Sequence, residues 1–386
     1  MDFGFSEDQE QLRAAMRDYF ARETPISFAR AMLDDPKGFA DDAWRGLCDL
    51  GWLGLAVPER LGGSGLGLLD LTLALEEAGR VALPGPFTTA ASLALPLLLA
   101  AGDEDQACAF VPEAVSGRRR VACAIAEKRG RWSADGIDAV ATRAGTGFVI
   151  TGTKLFVPDA GEADTLLVAA RLGDGIGWFL LPGGLPGGLP GGPGAMPGIT
   201  IAAMNTIDRT RRLFVVELAN VRVEAPCLLG GRAFDAGHLD AVIDRAKVAM
   251  AAGMVGAAER TLEMTVEYVG LREQFGRAIG TFQAVQHRCA DMKVAVEHAR
   301  SLVYYAAWAC DTGAPDSRLA AAMAKAFASD ACPTVAADAV QLHGGIGFTW
   351  EHDLHIFFKR LKADEHTYGD ATHNRELVAR LLQQAA

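Results

Sequence analysis

Two short segments in the C-terminal part of this 386-residue chain carry residue types suited to a phosphate-bearing ligand. The first reads Arg272-Glu273-Gln274-Phe275-Gly276-Arg277 and runs on to Thr281-Phe282-Gln283. An arginine fork offers two directed donors to a pyrophosphate. Phe275 is suited to covering an adenine or ribose edge, and Gly276 permits a turn close to a ligand. The second segment reads Gln341-Leu342-His343-Gly344-Gly345-Ile346-Gly347-Phe348. Its Gln341 amide adds a hydrogen-bonding group, and two residues without a Cβ leave room for a cofactor backbone to pass. Taken singly, either segment equally suits an ordinary helix end with a salt-bridged arginine.

Other chemistries lack their usual signatures. No GxGxxG follows a strand, and neither GxxxxGK nor HExxH occurs, which argues against nicotinamide, P-loop and zinc-peptidase sites. His352 and His355 are spaced to share a helix face, but no nearby carboxylate completes a metal set, so surface or interface histidines are expected. The net charge of −11 argues against a nucleic-acid surface. Arg118-Arg119-Arg120, the densest basic run, reads as a solvated corner. Seven cysteines form no CxxC pair and sit mostly among apolar residues, as expected of small buried hydrophobes in a reducing compartment. The opening residues Met1 to Asp8 are acidic where a secretory signal is basic, so the cytoplasm is the expected location. The uncharged stretch from Val81 to Gly102 is long enough to raise a membrane question. Pro84, Pro86 and Pro96 interrupt it, so a buried helical hairpin is expected and no membrane span.

The elements that must position the two segments follow from periodicity. Residues 6 to about 117 read as helical. Ser6 and Gln9 resemble a capping box ahead of the stripe Leu12, Met16, Tyr19 and Phe20. A further helix is expected from Leu69-Asp70 to Gly79. From about Val121, short β-branched runs alternate with turns: 148–152, 166–170, 178–181 and 213–218. They predict an antiparallel sheet or barrel. Leu-Pro-Gly-Gly repeats from Leu181, extending to Gly198, cannot support a packed element and predict a long exposed loop. From Asp235 onward the chain reads as helical again. Helices are expected over 243–269, rich in Ala249, Ala252, Gly253, Gly256 and Ala257, over 291–310, and over Ser317–His343 with a kink at Pro333. The order helices, sheet, helices predicts an α+β protein of three domains: a helical domain over 1–118, a β domain over 119–230 containing the loop 181–198, and a helical domain over 231–386.

In this order and near this separation, the two segments resemble the acyl-CoA dehydrogenase family, and the resemblance spans nearly the whole chain. Phe5-Ser6-Glu7-Asp8-Gln9 fits the family's opening. Gly152-Thr153-Lys154-Leu155-Phe156-Val157 fits the strand that faces the flavin ring. Asp208-Arg209-Thr210 and Leu228-Leu229-Gly230 fit the end of the middle domain, and Ala290-Asp291-Met292 follows the first segment as it does in the family. The resemblance implies an N-terminal helical domain, a middle antiparallel β-barrel domain and a C-terminal four-helix bundle, in a tetramer with FAD lying across a subunit interface. Arg272, Gln274, Phe275 and Phe282 would clamp the pyrophosphate of an FAD held mainly by a neighbour. Gln341, Gly344 and Gly345 would line the adenosine end. It also implies α,β-dehydrogenation of an acyl-CoA thioester: a carboxylate takes the α-proton, the β-hydride goes to the flavin, and an electron-transferring flavoprotein accepts the electrons.

The chain departs from the family at its catalytic positions. Tyr368, in His366-Thr367-Tyr368-Gly369-Asp370, stands where most members carry the catalytic glutamate. Ala246, followed by Lys247, stands at the alternative glutamate position. Asp370 is the remaining carboxylate in that loop and the candidate base, with a helix N-cap as its other reading. Asp244 is a weaker candidate on another helix face. In the middle domain, Ala126-Glu127-Lys128 and Gly130-Arg131-Trp132 replace the usual flavin loop, with a hydroxyl missing and charged side chains expected to obstruct the ring. Phe156-Val157-Pro158-Asp159 replaces the usual aromatic and hydroxyl residues. These departures, and the run Gly347 to Asp353, resemble the heterotetrameric acyl-CoA dehydrogenases of actinobacterial steroid breakdown, which assemble as α2β2 and act on bulky sterol-derived CoA thioesters. Three readings stay open: a catalytic subunit, a non-catalytic partner completing another chain's FAD site, and a homotetrameric oxidase-like flavoenzyme.

Overall fold

The computed structural model describes residues 4–182 and 196–385. The repeats over 183–195 lie outside the described residues, so the loop expected over 181–198 is described only at its flanks. Seven helices come first: α1 (Glu7–Glu23), α2 (Ile26–Met32), α3 (Asp41–Asp49), α4 (Leu68–Arg80), α5 (Phe87–Thr89), α6 (Leu95–Ala101) and α7 (Glu104–Val115). Strands follow: β1 (Val121–Ala124), β2 (Val140–Ala144), β3 (Gly147–Pro158), β4 (Thr165–Leu172), β5 (Gly175–Pro182), β6 (Ile199–Ala203) and β7 (Leu213–Glu224). The rest is α8 (Ala236–Leu271), the short strands β8 (Glu273–Gln274) and β9 (Arg277–Ala278), α9 (Gln283–Thr312), α10 (Ser317–His343), α11 (Leu354–His366) and α12 (Ala371–Ala385). This is the expected α+β order. The chain divides into two compact units. One comprises Met1–Asp34, Leu68–Leu83 and Lys247–Ala386, the other Asp35–Gly67 and Pro84–Ala246.

The second unit is built on a seven-stranded sheet in the order β1-β4-β2-β3-β7-β6, with β5 paired to β4. Alternating residues turn one face inward. Phe148 and Ile150 of β3, Val216 and Leu218 of β7, and Leu166, Val168 and Phe179 share a single core. Phe148 and Phe179 meet edge to face at 5.3 Å. The first six residues of β4 are all buried, so both of its faces are covered. The sheet is not wholly antiparallel, as the sequence reading expected. β1 pairs with β4 in parallel, and β2 meets β4 in parallel at Val140 and Arg171. The β2–β3 hairpin lies between β1 and β4 in sequence and supplies the crossover that a parallel pair requires. The stretch 81–102 is also not a hairpin. It holds one continuous buried helical run, α5 to α6, joined by a π turn at Ala90–Ala94 just ahead of Pro96. The wider turn accommodates the proline.

In the first unit, Ser6 caps α1 as its sequence predicts. Its Oγ accepts from the Gln9 N–H at 3.2 Å, and the Gln9 side chain accepts from the Ser6 N–H at 3.1 Å. α10 packs against α9, α11 and α12, and α4 packs against α1 and α9. α10 spans the residues expected of it and runs through Pro333. The small residues of α8 have a specific use. A Cβ on Gly256 would lie 1.8 Å from the Glu76 carbonyl oxygen, and one on Gly79 would lie 2.1 Å from the Gly253 carbonyl oxygen. The α4 and α8 backbones therefore touch.

Gly256→Ala is expected to lower the unfolding free energy by about 3 kcal/mol, the upper end of ordinary overpacking. Gly270, where a Cβ meets nothing within 4 Å, is the control. Gly270→Ala should be neutral or stabilising by up to about 1 kcal/mol. Urea denaturation of both variants checks the close approach, and equal responses contradict it.

Candidate functional site

Both candidate cofactor segments lie in the first unit and face outward. α8 ends at Leu271. β8 and β9 then form a two-stranded turn through Phe275 and Gly276, both at positive φ (56° and 79°). Phe275 is 93% exposed. It meets Phe282 edge to face at 6.2 Å, and the Arg277 guanidinium lies over the Phe282 ring at 4.1 Å. Arg272 is exposed, and its backbone is fixed to the end of α8 by its N–H on the Tyr268 carbonyl at 2.8 Å. Among the described residues its guanidinium has no carboxylate partner. The Gln274 side chain donates to its neighbour's carbonyl at 2.7 Å. At the end of α10, Gln341, Gly344 and Gly345 are exposed. Gly344 adopts φ 63° and ψ −139°, a conformation available essentially to glycine alone. A Cβ on either glycine would meet open space. Exposed donors, an uncovered aromatic and a Cβ-free turn fit a phosphate-linked dinucleotide laid on this surface.

Asp370, the candidate base, sits in the loop between α11 and α12. Its Oδ1 accepts the His373 N–H at 2.8 Å, so it caps the first turn of α12. Tyr368, two residues earlier, is 1% exposed and holds φ 61°, a conformation unusual for a bulky residue. The loop is held by residues that sequence reasoning missed. Lys325 is fully buried in α10. Its Nζ donates to the Ser329 hydroxyl at 2.6 Å and to the Glu365 and Gly369 carbonyls, both at 3.0 Å. Asn374, also fully buried, donates to the Gly369 and Asp370 carbonyls at 2.9 and 3.0 Å. The only sequence signal was a lysine among the alanines of an apolar helix face. Burial pushes the Lys325 pKa down to about 8, against the pull of Asp364. At the alternative position Ala246 is buried, and Asp244 is buried as well.

In the second unit, Ala126 offers no hydroxyl and Pro158 no N–H. Of the charged side chains expected to obstruct a flavin ring, Glu127 is turned away from the surface. Glu127 is 4% exposed and turns inward. It accepts the Asp138 and Ala139 N–H groups at 2.8 and 3.0 Å and the Lys154 Nζ at 2.6 Å. Removing either charge would leave the other buried and unpaired, so each fixes the other in the interior. Lys128 remains exposed. Phe156 projects at φ 55° where the β3–β7 register shifts between Lys154 and Val157. His352 and His355 do not share a helix as their spacing suggested: His352 precedes α11 and His355 lies within it. No group of three metal-ligating side chains occurs among the described residues, and no described helix is long and apolar enough to cross a membrane.

Lys325→Met removes three donated bonds from buried acceptors. It is expected to cost about 3–5 kcal/mol at pH 7, as for other broken buried polar networks. The folded-state pKa lies below the unfolded value of 10.5. Between about pH 8 and 10.5 the unfolded chain therefore binds more protons, and wild-type stability from this group rises with pH. The stability gap between wild type and Lys325→Met should widen across that window in denaturation measured at several pH values. A gap that narrows contradicts the assignment.

Comparison with known proteins agrees with this geometry. Residues 6–118 match the acyl-CoA dehydrogenase N-terminal domain, and residues 239–383 match the acyl-CoA dehydrogenase C-terminal domain. Acyl-CoA dehydrogenase IpdE2 of Mycobacterium tuberculosis is 33% identical over 357 residues, covering 92% of this chain and 91% of that protein. Among solved structures, the ChsE4-ChsE5 complex from Mycobacterium tuberculosis superposes with a TM-score of 0.88 at 29% identity, covering 99% of each chain. A variant of the steroid ACAD Tcur3481-Tcur3483 superposes with a TM-score of 0.84 at 30% identity, covering 98% of each chain. The chain belongs to the acyl-CoA dehydrogenase family of flavoproteins, oxidoreductases that act on CH–CH groups.

Proposed function

We propose that this chain is one subunit of an FAD-dependent acyl-CoA dehydrogenase that introduces an α,β double bond into a bulky, steroid-derived CoA thioester. It works in the cytoplasm as half of an α2β2 tetramer with a homologous chain and passes electrons to an electron-transferring flavoprotein. Its working domains are those read from the sequence: 1–118, 119–230 and 231–386. One observation carries the reading. Arg272, Phe275, Gly344 and Gly345 are presented to solvent with nothing of the described chain covering them, whereas Ala126 and Pro158 deprive the chain's own middle domain of flavin-directed groups. This chain thus lends clamps to a cofactor seated on a neighbour. The two-component ChsE4-ChsE5 complex and the steroid ACAD among its structural relatives support the subunit role and the substrate class.

When bound, the flavin supplies the hydride acceptor. The chain's own residues would hold it: Arg272, with Phe282 beside it, would offer paired donors to the pyrophosphate, Phe275 would cover an adenine or ribose edge, and the Gly344–Gly345 turn would admit the adenosine end. In the catalytic-subunit reading, Asp370 takes the α-proton. A second reading, a non-catalytic partner, is favoured by the buried Tyr368 and by the engagement of Asp370 with the α12 N-terminus.

Asp370→Asn separates the two, because asparagine still caps the helix while losing the base. If Asp370 is the base, turnover of the assembled enzyme falls about 10²–10⁴-fold with FAD retained. Unchanged turnover assigns the chemistry to the partner chain. The FAD reading is checked by the visible spectrum and mass of the chain alone and co-expressed with its homologue. A colourless chain that yields a yellow mixed tetramer is expected; a yellow homotetramer of the chain alone contradicts the α2β2 reading, and rapid reoxidation of its reduced flavin by air would favour the oxidase-like reading.

A further inference from the structure

The two candidate cofactor segments are joined by a set of rings. Tyr268 lies one turn before Arg272, and its carbonyl receives the Arg272 N–H. His343 is the last residue of α10, immediately before Gly344. Their rings stack with centroids 4.3 Å apart and planes 18° from parallel. His352 meets His343 edge to face at 4.7 Å and 63°.

The His343 ring is fixed in more than one way. It is 3% exposed, and its Nδ1 lies 2.8 Å from the Ala339 carbonyl. A carbonyl only accepts, so the proton belongs on Nδ1. Its Nε2 is buried without a hydrogen-bond partner. Burial pushes the His343 pKa down, which favours the neutral ring. The His352 segment is braced too. The His352 Nδ1 accepts the Leu354 N–H at 3.2 Å, and Arg30 donates to Asp353 at 2.6 Å and to the Trp350 carbonyl. A buried ring nitrogen left unpaired is unfavourable, and a plain hydrocarbon side chain would avoid that cost. What the imidazole adds is a flat ring anchored at one nitrogen to its own helix and at one face to another.

We propose that the Tyr268–His343 stack is the positioning strut that sets the separation between the Arg272 donors and the Gly344–Gly345 turn, and so the span that a bound dinucleotide must match. This rests on the FAD reading above. Neither residue touches the ligand; each acts through the backbone segment that it holds.

The test uses the full chain in its native assembly, stripped of flavin and reconstituted with FAD, with affinity read from flavin fluorescence. His343→Ala and Tyr268→Ala are each expected to weaken FAD about tenfold, the scale of an aromatic pair's contribution. Tyr268→Phe keeps the stack and should stay within about twofold of wild type. Val303→Ala truncates the same unit at a fully buried position of α9 and should leave FAD affinity unchanged, which separates a strut from general loosening. Unchanged affinity in both alanine variants of the stack overturns the proposal, as does equal weakening in Val303→Ala. Unchanged affinity in Arg272→Ala overturns the FAD reading itself.

Discussion

The two carboxylates of Glu76 and Glu77, 0% and 1% exposed in the middle of α4, fix the helical unit that presents the candidate site. A buried carboxylate is tolerated only with close cationic or hydrogen-bonding partners, and these come from several helices. α1 supplies Arg13 to both carboxylates and Arg17 to Glu77. α9 supplies Arg300 at 3.1 Å and the Tyr304 hydroxyl at 2.6 Å to Glu76. Arg80 of α4 reaches Glu259 and Glu263 of α8 at 2.8 and 2.7 Å. Burial opposes the Arg300 charge, but Glu76, Glu297 and Glu259 outweigh it and raise its pKa. The ion pairs between α4 and α8 sit beside the backbone contact that Gly79 and Gly256 permit. Shifting any of these helices would strand a charge, so α8 and α9, which frame the Arg272 segment, have little freedom to move.

A second level of constraint acts on the loops. The Arg272 turn leaves α8, the Gly344–Gly345 turn leaves α10, and the Asp370 loop is clipped to α10 by Lys325. Each is thus a short departure from a rigid helix rather than a free excursion. That suits the proposed cofactor surface, because any ordering done in advance is not subtracted from binding. The strained backbone at Phe275, Gly344 and Tyr368 lies in these same loops, where over-determined surroundings can hold it.

What the sequence revealed and what it hid divide along one line. Features written in contiguous residues were legible: the Ser6–Gln9 capping box, the full extent of α10 with its Gly344 stop, the strand runs, and the family resemblance carried by the Arg272 and Gln341 segments. Features made by residues far apart were not. Lys325 meets Gly369 across 44 residues and Arg30 meets Asp353 across 323, and no local spacing announces either. Strand direction is invisible to alternation, which is why the parallel β1–β4 pair was missed. Prolines at 84, 86 and 96 read as breaks, although a π turn lets the helix continue past Pro96. Glu127 and Lys128 read as one charged obstruction because sequence gives type but not direction. One turns inward to Lys154 and the other outward.

The loop around Tyr368, where the family resemblance implies a catalytic glutamate, is tightly held. A glutamate there must point at substrate and stay dry enough to act as a base. Tyr368 instead buries its ring, and the Gly369 carbonyl beside it accepts from both Lys325 and Asn374. Gly369 cannot readily be anything else: it holds φ 94°, and a Cβ would lie 2.5 Å from the His373 ring. Asp370 follows with one oxygen on the helix. Aiming its carboxylate at a substrate would forfeit the cap, worth about 1 kcal/mol, while the Lys325 clamp upstream stays closed. That cost is small beside the energies of catalysis, so the cap alone does not forbid a catalytic Asp370. The rigid clamp restricts instead how far the loop can travel. A base is then available from this chain only if substrate reaches Asp370 where it stands; under the proposed α2β2 assembly it otherwise comes from the partner chain.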